Sequence, residues 1–153
     1  MALTLQSDAF SDRGEIPKKH AYQGDDRSPP LRWSGVPEKT KALALIMEDP
    51  DAPSGTFVHW LAYNIPVTEA GLEEGMEHRG DKTEGTLQGQ NDFGEVGYGG
   101  PKPPSGEKHR YVFKLFALDA RLDLEPGVDK ETLERAMQGH TLAQTELVGT
   151  FKS

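Results

Sequence analysis

The sequence predicts a mainly β fold: an antiparallel, Greek-key-like β-sandwich with one or two short peripheral helices. Three observations predict it. Glycine (17) and proline (11) make up 28 of the 153 residues, about 18% against an average near 12%, which favours short elements joined by ordered loops over a helical bundle. The apolar runs have strand length, and one of them is continuous. Only one stretch, near residues 129–138, carries helical spacing. Strands that are not regularly interleaved with helices favour an antiparallel sandwich over a βαβ fold.

Taken in order, residues 3–7 alternate apolar and polar, which predicts a short strand. Residues 14–30 are polar, with Asp25, Asp26, Ser28, Pro29 and Pro30, and read as loop. Leu31 to Trp33 forms a short strand before the Gly35-Val36-Pro37 turn. Ala42 to Met47 (ALALIM) is a run for a strand buried on both faces, stopping at DPDAPSG, residues 49–55. Phe57 to Ile65 is the next strand. Strict alternation puts Phe57, His59, Leu61, Tyr63 and Ile65 on one face and Val58, Trp60, Ala62 and Asn64 on the other. Residues 66–83 are polar, with room for one short turn. Residues 85–106 form a long Gly- and Pro-rich loop, a kind usually either functional or disordered; its aromatics Phe93 and Tyr98 argue for order. Arg110 to Asp119 is rich in aromatic and aliphatic residues and predicts a strand. Asp129 is an expected N-cap for a helix through Gln138, with Leu133, Ala136, Met137 and His140 at helical spacing and Gly139 as the stop. Glu146 to Lys152 is a last strand. The length suits a single domain over residues 1–153.

Composition removes several functions. Seventeen basic against 25 acidic residues leave a net charge of −8, the wrong sign for phosphate-backbone contacts to nucleic acid or for a polybasic membrane anchor. With no cysteine, a thiol nucleophile, a disulfide framework and a Cys-ligated metal are excluded. No apolar run approaches the roughly 18 residues of a membrane span, and the N-terminus lacks the basic and apolar regions of a signal peptide. The expected location is the cytoplasm, without stable membrane insertion.

Three clusters carry potential chemistry. DPDAP holds Asp49 and Asp51 between Pro50 and Pro53, and would otherwise be a stiff turn with solvated acids. His59 stands beside Trp60, where a hydrogen-bonded core histidine is the plain alternative. In GYGGPKPPSGEKHRY, residues 97–111, Gly99 and Gly100 allow close backbone approach and expose N–H groups, while His109 and Tyr111 share one strand face. Together they describe a small, rigid pocket with two histidines, a tyrosine hydroxyl, an acid and free N–H donors, which suits a phosphate-like oxyanion. The acid would orient a histidine, raise its pKa or meet a ligand amine. The competing reading is a hydrolase or metal-dependent enzyme using His59, His109 and Asp49. HExxH and HxH pairs, a GxSxG elbow, a Walker A loop and a dinucleotide fingerprint are absent.

SPPLRW at 28–33, EDPDAPSG at 48–55, VHWLAYNIP at 58–66, NDFGEVGYGGPKPPSGEKHRYVFKLFALD at 91–119 and HTLAQTELVGTFK at 140–152 resemble the phosphatidylethanolamine-binding protein family. The likeness is to its prokaryotic YbhB/YbcL-like branch, related to Raf kinase inhibitor protein. The resemblance implies an antiparallel β-sandwich with an anion pocket for phosphate or phosphorylated head groups, without catalysis and without a cofactor or metal. By motif position it assigns ligand-binding roles to Asp49, His59, Gly100, Pro104, His109 and Tyr111, with Asp51, Pro53, Trp60 and Lys102 as pocket support. It also suggests a homodimer and leaves a regulatory protein partner open. Lys102 stands where many prokaryotic members carry a cysteine, and would add positive charge at the rim or be a solvated loop residue. The C-terminal helix of the animal proteins has no counterpart after ELVGTFK, so functions tied to it do not carry over.

Overall fold

The computed structural model describes residues 2–76 and 85–153. The strands run β1 (Thr4–Gln6), β2 (Leu31–Ser34), β3 (Ala42–Asp49), β4 (Phe57–Ile65), β5 (Gly71–Leu72), β6 (Leu87–Gln88), β7 (Lys108–Leu118) and β8 (Thr141–Lys152). A 3-10 turn at Lys18–His20 precedes β2, and one helix, α1 (Lys130–Met137), lies between β7 and β8. Strands β1-β2-β5 form a small antiparallel sheet; β6-β4-β3-β7-β8 form a larger one. The expected mainly β, antiparallel two-sheet architecture is therefore what the chain adopts.

The central strand β3 follows from its sequence. All eight of its residues are buried, because the larger sheet is covered on both faces. On one face Leu43, Leu45, Met47, Tyr111, Phe113 and Leu115 pack against Leu5, Leu31 and Trp33 of the small sheet. On the other, Ala44, Ile46, Leu61, Tyr63 and Phe116 pack against Leu133 and Met137 of α1. Burying one such large apolar side chain contributes about 1.5–3 kcal/mol. Helix α1 starts where expected: the Asp129 side chain accepts from the Thr132 N–H, and Gly139 follows at φ +80°. His140 is not on the helix; its Nδ1 lies 2.8 Å from Asp119.

Four expectations need correction. Strand β3 runs through Glu48 and Asp49 rather than stopping before DPDAP, because the buried Glu48 carboxylate is paired with Lys114 and Lys130. Strand β8 begins at Thr141, five residues before the predicted start, since the edge of β7 offers its whole length for pairing. The two-residue strands β5 and β6 fall inside stretches read as loop, and both exist only by pairing with β2 and β4; residues 77–83 of the first stretch lie outside the described residues. The fourth concerns β4, whose strict alternation fails twice. Met47 faces Trp60 while Glu48 faces Val58, so His59 is the extra residue of a β-bulge. A second slip falls between Ala62 and Ile65, where Asn64 takes φ +52°. Trp60, Ala62 and Ile65 consequently pack on one face and Val58, Leu61 and Tyr63 on the other. Bulges re-aim side chains, and this one turns His59 away from the face of Leu61.

Candidate functional site

The site lies where the C-terminal end of β3, the N-terminal part of β4 and the start of β7 meet. Asp49, the last residue of β3, is 3% exposed. Its Oδ1 accepts from the Asp51 N–H at 2.8 Å, closing a tight turn, and its Oδ2 accepts from His109 Nδ1 at 2.6 Å. Both carboxylate oxygens are thus engaged, and Asp49 orients a histidine. The opposite ring nitrogen of His109, Nε2, donates to Glu107 Oε1 at 2.9 Å. An ionised carboxylate only accepts, so with both bonds made the ring is an imidazolium. Burial pulls the His109 pKa down, but the Asp49 and Glu107 carboxylates outweigh it and the pKa lies above the ordinary value.

His59 is built the opposite way. The bulge brings its ring edge-on to Tyr111, with centroids 5.3 Å apart. Its Nδ1 donates to the Gly99 carbonyl at 2.6 Å, which fixes the tautomer because a carbonyl cannot donate. In the neutral ring Nε2 therefore carries a lone pair, and it has no hydrogen-bond partner among the described residues. Burial lowers the His59 pKa more than the Gly99 carbonyl and the Asp49 charge raise it. His59 accepts a proton from a ligand, or donates one only when charged.

Tyr111 follows His109 by two residues on β7, so both point to one face. It is fully buried, and its hydroxyl lies near the Asp49 carboxylate and the Lys102 N–H but bonds to neither. Burial first, and the Asp49 charge second, push its pKa up, so it stays a phenol with a proton to offer. The wall beside these groups is aromatic: Phe57 and Phe93 pack on His59 at 4.9 and 5.4 Å, and Tyr22 stacks on Phe93 at 4.6 Å.

The other expected residues divide. Asp51 supports the site through Arg110, whose guanidinium meets both of its oxygens at 2.8 and 3.0 Å. These bonds hold the Asp51 pKa down at about 2. Trp60 is buried beneath the site, donating to Gln88 Oε1 at 2.8 Å and standing edge-on to Tyr98. Gly100 is required by close approach, since a Cβ there would sit 2.2 Å from the His20 carbonyl oxygen. The expected free glycine N–H donors are corrected, however: Gly100 N–H donates to Asp26 Oδ1 at 2.7 Å and Gly99 N–H to the His59 carbonyl at 2.9 Å. Pro53 and Pro104 are exposed in turns; Pro104 acts through its carbonyl, which accepts from the Glu107 N–H. The buried loop prolines are Pro101 and Pro103. Lys102 is exposed, with Nζ 4.7 Å from the Tyr22 ring centre. It lines a neighbouring groove of about 610 Å³, together with Lys18, Ile16, Pro103, Phe151 and Lys152.

Sequence reasoning did not assign site roles to Tyr22, Asp26, Phe57, Phe93 or Glu107. Glu107 had a local signal, its position two residues before His109. Tyr22 and Asp26 had none, since they reach the site through a loop more than 70 residues distant in sequence from Gly100. The described residues contain no group of three His, Asp or Glu arranged to hold a metal ion. No helix among them is long and apolar enough to cross a membrane.

Comparison with known proteins agrees with this architecture. The family model described as phosphatidylethanolamine-binding protein matches residues 6–152. A UPF0098 protein of Methanothermobacter thermautotrophicus is 50% identical over 150 residues, covering 98% of this chain and 99% of the relative. Among solved structures, a phosphatidylethanolamine-binding protein homologue from Chlamydia trachomatis is 44% identical with a TM-score of 0.90, covering 99% of this chain and 98% of that one. Escherichia coli YbcL, described as a member of the mammalian family, is 30% identical with a TM-score of 0.92, covering 100% of this chain and 99% of that one. The chain belongs to the phosphatidylethanolamine-binding protein family.

Proposed function

We propose that this chain is a cytoplasmic, non-enzymatic binding protein whose pocket takes a phosphate or a phosphorylated head group such as phosphoethanolamine. The observation that carries this reading is the convergence of buried polar groups with unused capacity. Tyr111 Oη is buried without a partner, His59 Nε2 is free among the described residues, and His109 Nε2 meets only the exposed Glu107. An unpartnered buried polar atom costs about 1–3 kcal/mol, which a ligand with several oxygens would recover. A phosphate monoester suits the set better than a carboxylate, because its monoanion offers both acceptors, for Tyr111 and His109, and one P–OH donor, for the His59 lone pair. The family's printed name, for a phosphorylated lipid, agrees in chemical class.

The test is an NMR titration with inorganic phosphate and O-phosphoethanolamine at pH 5.5 and 7.5. Saturable shifts at Asp49, His59, Gly100 and Tyr111, stronger at pH 5.5 and lost in His109→Ala, are expected. Tyr111→Phe, which keeps the ring packing, should weaken binding about tenfold through one lost hydrogen bond. Absence of shifts at millimolar ligand in wild type would end the phosphate reading.

A further inference from the structure

The two carboxylates on His109 differ in kind. Asp49 is buried, with a side-chain exposure of 5%, and both of its oxygens are engaged within the fold. The Glu107 side chain is 54% exposed, and its carboxylate has no partner but His109 Nε2 among the described residues. Its backbone is held firmly: the N–H donates to the Pro104 carbonyl and the carbonyl accepts from the Ser153 N–H. A fixed backbone with a carboxylate free to swing into water is the arrangement of a tethered ligand. The atom it covers is the one donor of His109 that Asp49 leaves for an incoming anion.

We propose that Glu107 is a tethered competitor for the anion position on His109, so that a ligand binds by displacing it and the displacement selects oxyanions with several oxygens over simple carboxylates. This rests on the anion reading above and deepens it. Exchanging Glu107 for a free carboxylate replaces one hydrogen bond by an equal one and costs the ligand its freedom of motion. A phosphate monoester takes the same donor and also satisfies Tyr111 Oη and His59 Nε2, which Glu107 leaves unpartnered. Glu107 therefore raises the threshold for all anions and leaves only the multidentate ones above it. The charged and titratable groups around His109 are Asp49 at the end of β3, Asp51 in the turn after it, His59 on β4, Glu107 just before β7, and Arg110 and Tyr111 on β7. Arg110 is already taken by Asp51, so it does not draw Glu107 away.

The experiment uses the full chain as wild type, Glu107→Gln and Glu38→Gln. The last makes the same change in net charge at an exposed turn before β3, at the opposite end of that strand from Asp49. Inorganic phosphate and acetate are titrated at pH 6.0, and the His109 ring is followed through a ligand-free pH titration. Glu107→Gln should bind phosphate roughly fivefold tighter, should bind acetate measurably where wild type does not, and should titrate His109 at a lower pH. Glu38→Gln should match wild type in all three. Phosphate binding to wild type with no gain in Glu107→Gln, or an equal gain in Glu38→Gln, overturns the competitor alone. An unmoved His109 titration overturns it too. Absence of phosphate binding in all three proteins overturns the anion reading beneath it.

Discussion

At the residue scale the site contrasts two histidines whose charge states are set by different physics. His109 sits between two carboxylates and its pKa is raised; His59 is buried against a carbonyl and its pKa is lowered. For His109 the sign follows directly. Its contribution to stability is complete below the unfolded value near 6.5 and is lost as pH rises through the raised folded value. Asp49→Asn keeps the acceptor for the Asp51 N–H but removes the charge, so His109 should titrate at lower pH and phosphate affinity at pH 7.5 should fall about tenfold. Histidine-resolved NMR and calorimetry would show both; an unchanged His109 midpoint would contradict the dyad. Asp51 has the opposite sign. Its pKa of about 2 against an ordinary 3.8 makes its pair with Arg110 stabilising above pH 4, with the gain lost as pH falls towards 2. Because both side chains touch solvent, Asp51→Asn should cost only about 0.5–1 kcal/mol at pH 7, and urea denaturation at pH 2.5 should show much less.

At the scale of elements the decisive feature is the irregularity of β4. The bulge at His59 places that ring against Tyr111, and Asn64 absorbs the second register slip in the left-handed region. Asn64 then ties the loop after β7 to the strand: its Oδ1 accepts from the Leu122 N–H at 2.7 Å and its Nδ2 donates to the Leu122 carbonyl at 2.8 Å. Asn64→Ala loses both buried bonds and puts alanine at positive φ, so it should destabilise by about 2–4 kcal/mol. Asp129→Ala removes the α1 cap and should cost about 1 kcal/mol. If chemical denaturation finds the two equal, the clasp on Leu122 carries no special weight. The cap was legible because capping is a local interaction between Asp129 and Thr132. The bulge was not, because alternation in FVHWLAYNI reads unbroken until the partner strand sets the register.

At the scale of the whole molecule, the net charge of −8 works against long-range attraction of anions. Affinity for phosphate, as proposed, would therefore reside in short contacts at the candidate site. The expected consequence is proton uptake on binding at pH 7.5, where a phosphate monoester is largely a dianion and must gain the P–OH from which the His59 lone pair accepts. Phosphate should raise the melting temperature more at pH 5.5 than at 7.5, a comparison that thermal denaturation makes directly. Equal shifts at both values would mean that the dianion binds as well as the monoanion and that the P–OH bond to His59 is not made.

By itself the sequence determined the mainly β class, the strand-length runs at 42–47 and 57–65, the capped helix and the pairing of His109 with Tyr111 on one face. Each of these depends on periodicity or on neighbours a few residues apart. Tertiary structure decided what depends on register and on contacts distant in the chain. It spent the glycine N–H groups on Asp26 and His59, left Pro53 and Pro104 in exposed turns, turned His59 edge-on to Tyr111 and set Glu107 against His109. The composition of the candidate site is written in local motifs, but its unused hydrogen-bonding capacity appears only once every other donor and acceptor has found its partner.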